Sequence, residues 1–139
     1  MQKNHSDQFE ARLSQVKILK SKSVLLNDME GWSLPIIVSH GEGRACFKSE
    51  DEINKLFDSE KICMTFVDSS GYQTEQYPLN PNKSPSGITG ITNDNGNITI
   101  MMPHPERVFR SHQFSWKPLS WGEYSPWMQI FINAKRFVN

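Results

Sequence analysis

The chain has 139 residues, which is the length of one small domain or of part of a larger one. Lysine and arginine together number 15, and so do aspartate and glutamate, so no overall field would attract nucleic acid or an anionic membrane. No apolar run approaches the roughly 20 residues that cross a bilayer, and the segment MQKNHSDQFEAR lacks the apolar stretch of a secretory signal. We therefore expect no nucleic-acid or membrane partner and a cytoplasmic location.

The two cysteines and four histidines show no spacing that is typical of a metal site. Cys46 and Cys63 have no paired partner, and without a secretory signal both are expected to be reduced thiols. No two histidines have the helical H-x-x-x-H spacing that would support a zinc site. The sequence therefore predicts no metal and no cofactor in this chain.

The N-terminal part predicts strands joined by short turns. FEARLSQVKIL, residues 9–19, alternates apolar and polar side chains and then changes phase, which predicts a strand that could contain a bulge. SVLLNDMEG predicts one helical turn that ends at Gly31. LPIIVS, residues 34–39, is a continuous apolar run, as in strands covered on both faces. The glycines of SHGEGR then predict a tight turn beside a binding site, and ACFK predicts a further strand.

The middle of the chain predicts a helix and a hairpin. Ser49 and Glu52 form an S-x-x-E capping box, which marks the start of a helix. ICMTFVD, the turn DSSG and the returning segment YQTEQY predict a β-hairpin, in which Cys63 is an ordinary strand side chain. PLNPNKSPSG, residues 78–87, predicts an ordered loop of the kind that often carries function.

The C-terminal part predicts a second hairpin and a helix. ITGIT and NITIMM flank NDNG, so a hairpin delivers the chain to His104. Ser125 as N-cap and Pro126 as first helical residue predict a helix. Its apolar face is predicted to contain Trp127, Ile130, Phe131, Ala134 and Phe137. The mixture of strands with few helices indicates an α/β fold.

MMPHPERVF, where a buried strand ends, contains the residues best suited to catalysis. On an extended backbone His104 and Glu106 point to the same side, so the carboxylate could orient the imidazole as in a nucleophilic triad. Pro103 and Pro105 would stiffen the segment. The spacing also arises by accident on surfaces, so it leaves catalysis open. His40 in SHGEGR is, taken alone, more typical of a loop histidine than of a ligand.

Four segments, in order along nearly the whole chain, resemble one known family: LPIIVSHGEGR, YPLNPNKSPSGITGIT, ITIMMPHPERVFR and SWGEYSPWMQIFINAKR. They resemble the C-terminal region of the large, single-chain phosphoribosylformylglycinamidine synthases. The resemblance implies that residues 1–139 are the C-terminal portion of a class I glutamine amidotransferase domain. It also implies a flavodoxin-like α/β fold with a mixed sheet.

The same resemblance implies a reaction and its residues. In this family a cysteine thiolate releases ammonia from glutamine, and a synthetase domain that uses ATP and Mg²⁺ transfers the ammonia to formylglycinamide ribonucleotide. His104 corresponds to the general base and acid, and Glu106 to its orienting partner. SHGE matches the loop placed against glutamine, so His40, Gly41 and Glu42 are candidate substrate contacts. Glutamine and the synthetase domain are the implied partners.

One part of the family pattern has no match in this sequence. The nucleophile belongs to a CNGCQ-like elbow, and neither Cys46 nor Cys63 has the glycine that such an elbow needs. We therefore expect the elbow to lie upstream, the chain alone to be inactive, and its open sheet edge to cause marginal stability or self-association. The alternatives are one half of a split glutaminase, or a remnant that binds or scaffolds without catalysis. A stand-alone hydrolase based on Cys63 is least favoured.

Overall fold

The computed structural model describes all residues, 1–139, and confirms the α/β class. Short 3-10 turns occur at Val24–Leu26, Pro85–Gly87, Pro105–Arg107 and Ser111–Gln113. The regular elements are β1 (Glu10–Ile18), β2 (Ser33–His40), α1 (Glu50–Asp58), β3 (Ile62–Phe66), β4 (Ile88–Thr92), β5 (Thr99–Met101) and α2 (Met128–Val138). No helix among them has the length and apolar character needed to cross a bilayer.

The five strands form one curled sheet in the order β2-β1-β3-β4-β5. Every neighbouring pair is antiparallel, so the mixed sheet implied by the family resemblance is antiparallel throughout in this chain. The curl brings the segment after β5 against the outer edge of β2, where the His104 N–H donates to the Ile37 carbonyl over 2.7 Å. This contact places the end of β5 beside the end of β2.

β1 and β2 alternate between buried and more exposed side chains. β1 pairs with β2 without interruption from Glu10 to Lys17, so the predicted bulge is absent. β2 was expected to be covered on both faces, and this is wrong because the side chains of one face remain partly exposed. Only its even-numbered side chains are buried, from Leu34 to His40. β3 lies between β1 and β4 and all of its side chains are buried.

The second predicted hairpin is confirmed, and the first is confirmed in part. β4 and β5 pair across the NDNG turn, with Ile91 opposite Ile100. YQTEQY forms no extended strand, but it turns back on β3 as predicted: Gln73 bridges Val67, and the Thr74 N–H donates to the Phe66 carbonyl over 3.1 Å. The chain turns at Asp68, whose carboxylate accepts the backbone N–H of Ser70 and Tyr72. ACFK also forms no strand, since this region makes only an isolated bridge between Arg44 and Gln2.

Both predicted helices are present. Ser49 Oγ accepts the Glu52 N–H over 3.3 Å, so the predicted N-cap is confirmed. The apolar side of α1 packs against a small core cluster of Ala45, Ile62 and Ile88. α2 begins at Met128, and the side chains of Ile130 and of Trp127, which directly precedes the helix, are buried against the main core. Phe131 and Phe137, predicted for the same face, remain 40% and 58% exposed.

Candidate active site

The His104–Glu106 pair forms a compact hydrogen-bonded unit directly after β5. His104 precedes the 3-10 turn Pro105–Arg107, so the extended backbone expected through this segment is wrong. The turn nevertheless brings the two side chains together, and His104 Nδ1 lies 2.7 Å from Glu106 Oε1. Pro105 is favoured at the first position of such a turn because its φ is already fixed near the helical value.

The pair lies at the surface and its chemistry is that of an oriented base. The His104 side chain is 28% exposed and that of Glu106 is 54% exposed. Because Glu106 accepts the Nδ1 proton, Nε2 is left as the nitrogen that can take up a proton. Arg107 Nε is 3.9 Å from the same carboxylate oxygen. This arrangement can accept and return a proton, as general acid–base catalysis requires.

His40 lies in the interior and not on a binding surface. Its side chain is at the end of β2, and the residue is only 6% exposed. Burial lowers the pKa of His40 and the neighbouring His104 lowers it further, while the Met102 backbone and Glu10 oppose this effect. His40 therefore stays neutral at pH values where an ordinary histidine begins to be charged.

Gly41 and Glu42, the other two candidate contacts, face different surroundings. The Gly41 carbonyl accepts the Asn4 N–H over 2.9 Å, which fastens the N-terminal segment to the end of β2. The Glu42 side chain is exposed and lines a shallow pocket with Lys3, Asp7 and Arg44. The structure thus places Glu106 in contact with His104, places His40 in the interior near this pair, and directs Glu42 towards the N-terminal segment. The roles of His40, Gly41 and Glu42 in substrate binding stay predictions.

Comparison with a family model classifies the chain. Residues 1–138 match the model described as a CobB/CobQ-like glutamine amidotransferase domain. The chain belongs to this glutamine amidotransferase family. The match covers almost every residue, including the His104–Glu106 pair and the loop of residues 78–87.

A solved structure supports the fold of this amidotransferase domain. The chain is similar to one in the structure of PurLQS from Thermotoga maritima, with a TM-score of 0.69 and 20% sequence identity. The likeness covers 99% of this chain and 52% of that chain, so the present chain spans about half the length of its relative. At this level of identity the likeness shows a shared fold.

The loop of residues 78–87 contributes a residue that the sequence analysis did not single out. Asn80, Asn82 and Ser84 in this loop are fully buried. The Asn82 side chain contacts both His40 and the Gly43 carbonyl, at 3.3 and 2.8 Å from its Nδ2. The alternation of polar residues in NPNKS was the available signal, but alternation alone does not name the partners.

Neither cysteine of this amidotransferase chain is placed to act with His104. Cys63 is fully buried in β3, as predicted for a strand side chain, and burial raises the pKa of its thiol to about 12. Cys46 is exposed and lines an apolar pocket with Phe47, Ile91 and Ile100. No hydrogen bond links His104 to either sulfur; its side-chain partner is Glu106. No cluster of three or more His, Cys, Asp or Glu side chains could hold a metal ion.

Proposed function

We propose that this chain supplies the histidine and glutamate of a glutaminase site, within a phosphoribosylformylglycinamidine synthase. The observation that carries the proposal is the 2.7 Å contact between His104 Nδ1 and Glu106 Oε1, in a chain of the glutamine amidotransferase family. The four sequence segments that resemble the synthase support the choice of enzyme, as does the fold shared with a chain of PurLQS.

The proposed chemistry uses His104 as a proton carrier. A cysteine thiol gives its proton to His104 Nε2, and the thiolate attacks the side-chain amide carbon of glutamine. The imidazolium then protonates the departing nitrogen, which leaves as ammonia, and the acyl group remains as a thioester. His104 next takes a proton from water, whose oxygen attacks the thioester. The C–S bond breaks, glutamate leaves, and the imidazolium returns its proton to the cysteine sulfur. Glu106 stabilises the charged imidazolium at each stage through Nδ1.

In this proposal the ammonia is consumed outside the present chain. A synthetase domain that binds ATP and Mg²⁺ would use it to convert formylglycinamide ribonucleotide to the amidine. The partners are therefore glutamine and that synthetase domain, and the expected location is the cytoplasm. His40, Gly41 and Glu42 remain candidate contacts for glutamine, although the burial of His40 favours an indirect role.

The nucleophile is proposed to come from residues other than Cys46 and Cys63. A thiol attacks as its thiolate, and the fully buried Cys63, with a pKa of about 12, is almost entirely protonated at neutral pH. Cys46 is exposed in a pocket that contains neither His104 nor Glu106. Because the members of a triad act as a unit, the chain alone is expected to release no ammonia from glutamine.

Ammonia release from glutamine tests this proposal directly. The chain should be inactive alone and should become active when mixed with a polypeptide that carries a CNGCQ-like elbow. His104→Ala should abolish the activity of the mixture, whereas His112→Ala, at an exposed histidine in another 3-10 turn, should not.

Two results would contradict the proposal. Activity of the chain alone that survives Cys46→Ser and Cys63→Ser but is lost in His104→Ala would show that no cysteine is used. A mixture that forms a complex yet stays inactive would instead favour a non-catalytic remnant. Complex formation is measured by size-exclusion chromatography before the assay.

A further inference from the structure

His40 is enclosed by backbone and by the loop of residues 78–87. A Cβ atom added to Gly43 would lie 2.0 Å from His40 Nε2 and 2.2 Å from Cδ2, so the ring packs directly on the Gly43 backbone. Asn82 Nδ2 lies 3.3 Å from the same Nε2. Glycine at position 43 is therefore required by the presence of the ring and not by an unusual φ angle.

The hydrogen bonds of Asn82 determine which nitrogen of His40 carries the proton. Asn82 Oδ1 accepts from the Ser84 N–H over 3.1 Å and from the Ser84 hydroxyl over 2.8 Å. Asn82 Nδ2 donates to the Gly43 carbonyl over 2.8 Å, so the amide nitrogen is the atom that faces the ring. A nitrogen facing an amide N–H must act as the acceptor, and the His40 proton is therefore on Nδ1.

The His40 ring lies beside the segment that leads into His104. Nδ1 is buried without a hydrogen-bond partner, and the Met102 backbone lies beside the ring. Three residues earlier on β2, the Ile37 carbonyl accepts the His104 N–H over 2.7 Å. The C-terminal half of β2 thus meets the segment Met102–His104 at two positions: the Ile37 carbonyl accepts the His104 N–H, and the buried His40 ring contacts the Met102 backbone.

We propose that His40 is a positioning residue. As a neutral ring with its proton on Nδ1, it lies between the loop of residues 78–87 and the segment Met102–His104, and it holds that segment in place. Displacement of the ring would let this segment shift and would disturb the contact between His104 and Glu106. The inference rests on the proposed function in one respect only, because that function is what gives the contact between His104 and Glu106 a catalytic purpose. Because His40 acts from behind the segment, this role differs from a direct contact with glutamine.

The tautomer of His40 can be measured in the unaltered chain of residues 1–139. Long-range ¹⁵N–¹H spectra of the four histidine rings distinguish Nδ1–H, Nε2–H and charged forms. We expect one ring to show the Nδ1–H form and to stay neutral as the pH falls through 6.5, the ordinary value for histidine. His40→Asn assigns that signal. An Nε2–H signal for His40, or ordinary titration, would overturn the inference.

A pair of glycine variants tests the positioning role. Gly43→Ala forces the ring from its place, whereas a Cβ at the neighbouring Gly41 meets only a Phe9 ring carbon at 3.9 Å. Neither glycine has a positive φ, so alanine is acceptable to both backbones. We expect Gly43→Ala to shift the ring signals of His104 and to replace the single tautomer of His104 by a mixture. Gly41→Ala should change neither the signals nor the tautomer.

Comparison with His40 variants separates positioning from general support of the fold. His40→Asn keeps an N–H donor near the Nδ1 position, and His40→Leu keeps only apolar bulk. We expect the asparagine variant to retain the His104 signals better than the leucine variant. Unchanged His104 signals in folded Gly43→Ala or His40→Leu, with the amide spectrum as the measure of folding, would overturn the role. These measurements do not use ammonia release, so a failure of this inference can be distinguished from a failure of the proposed function.

Discussion

The contact between His104 and Glu106 depends on a local turn and on a distant strand. Pro105 begins the turn that folds Glu106 back to the ring, and the Ile37 carbonyl holds the backbone of His104 from β2. The first influence is local in sequence and the second requires the sheet to curl until its ends meet. An oriented base is therefore a property of the folded sheet and not of the segment alone.

Replacement of Glu106 by glutamine tests the orienting carboxylate. Glu106→Gln keeps the size of the side chain but removes the negative charge that stabilises the imidazolium. In the mixture that releases ammonia we expect kcat to fall by about 10²- to 10⁴-fold. Because the Glu106 side chain is 54% exposed, the free energy of unfolding should change by less than about 0.5 kcal/mol.

A second exposed carboxylate provides the control for this substitution. Glu123 forms an ion pair with Arg110 over 3.0 Å and its side chain is 62% exposed, yet it belongs to a different segment. Glu123→Gln should leave kcat unchanged in the same assay. If Glu106→Gln retained the full kcat, the carboxylate would have no part in the reaction, and His104 and Glu106 would not act as a catalytic pair.

Among the elements, those with a clear local signal in the sequence are predicted best. Alternation of apolar residues predicts β1, the S-x-x-E capping box predicts α1 and the NDNG turn predicts the β4–β5 hairpin, and the structure confirms all three. YQTEQY has the composition of a strand but pairs with the end of β3 only at a single bridge, because β4 occupies that edge of β3 from Ile62 to Thr65. Edge occupancy depends on the whole sheet order, which no local pattern contains.

The candidate site divides in the same way between local and distant contacts. The spacing of His104 and Glu106 predicts that their side chains can meet, although the contact is made across a 3-10 turn and not along the extended backbone that the prediction assumed. The contact of Asn82 with His40 joins positions 42 residues apart, and only the fold brings them together. The burial of His40 could not be predicted either, because SHGEGR reads as a surface turn.

The turn of the β4–β5 hairpin is the element most sensitive to an added methyl group. Gly96 has a φ of +72°, and a Cβ there would lie 1.8 Å from the Lys22 carbonyl oxygen. The Gly96 carbonyl also accepts the Val24 N–H over 2.9 Å, so the turn cannot move away without losing this bond. We expect Gly96→Ala to reduce the free energy of unfolding by about 2–4 kcal/mol, measured by urea denaturation.

Gly122 provides the matched control for this glycine. It has no positive φ, and a Cβ there would meet nothing within 4 Å. Gly122→Ala should therefore change the free energy of unfolding by no more than about 0.5 kcal/mol. Equal stability of the two variants would show that the hairpin turn does not pack on the Lys22 segment.

Across the whole molecule, several apolar side chains remain exposed, and two groups of them lie at the edge strand β5 and on α2. Ile98 and Ile100 near β5 are 58% and 56% exposed, and β5 is an edge strand. On α2, Phe137 and Val138 are 58% and 78% exposed. These surfaces support the expectation of self-association, which stays a prediction.

The buried His40 should make the stability of the whole molecule depend on pH. Its pKa is lowered in the folded chain, chiefly by burial, and returns to about 6.5 on unfolding. As the pH falls below 6.5, the His40 ring therefore binds a proton in the unfolded chain but not in the folded chain. Acid thus favours unfolding. This loss of stability should be absent above that pH and should grow until the folded form also becomes charged.

Thermal unfolding between pH 7.5 and pH 5 checks this expectation. The midpoint should fall with decreasing pH in the unaltered chain and should fall less steeply in His40→Asn, which cannot take up the proton. His112→Asn, at an exposed histidine, should keep the slope of the unaltered chain. The carboxylates are the same in all three proteins, so the difference in slope between the unaltered chain and His40→Asn reports the contribution of His40. Identical slopes in the unaltered chain and His40→Asn would show that the His40 ring is open to protonation in the folded state, against its enclosure by Gly43 and Asn82.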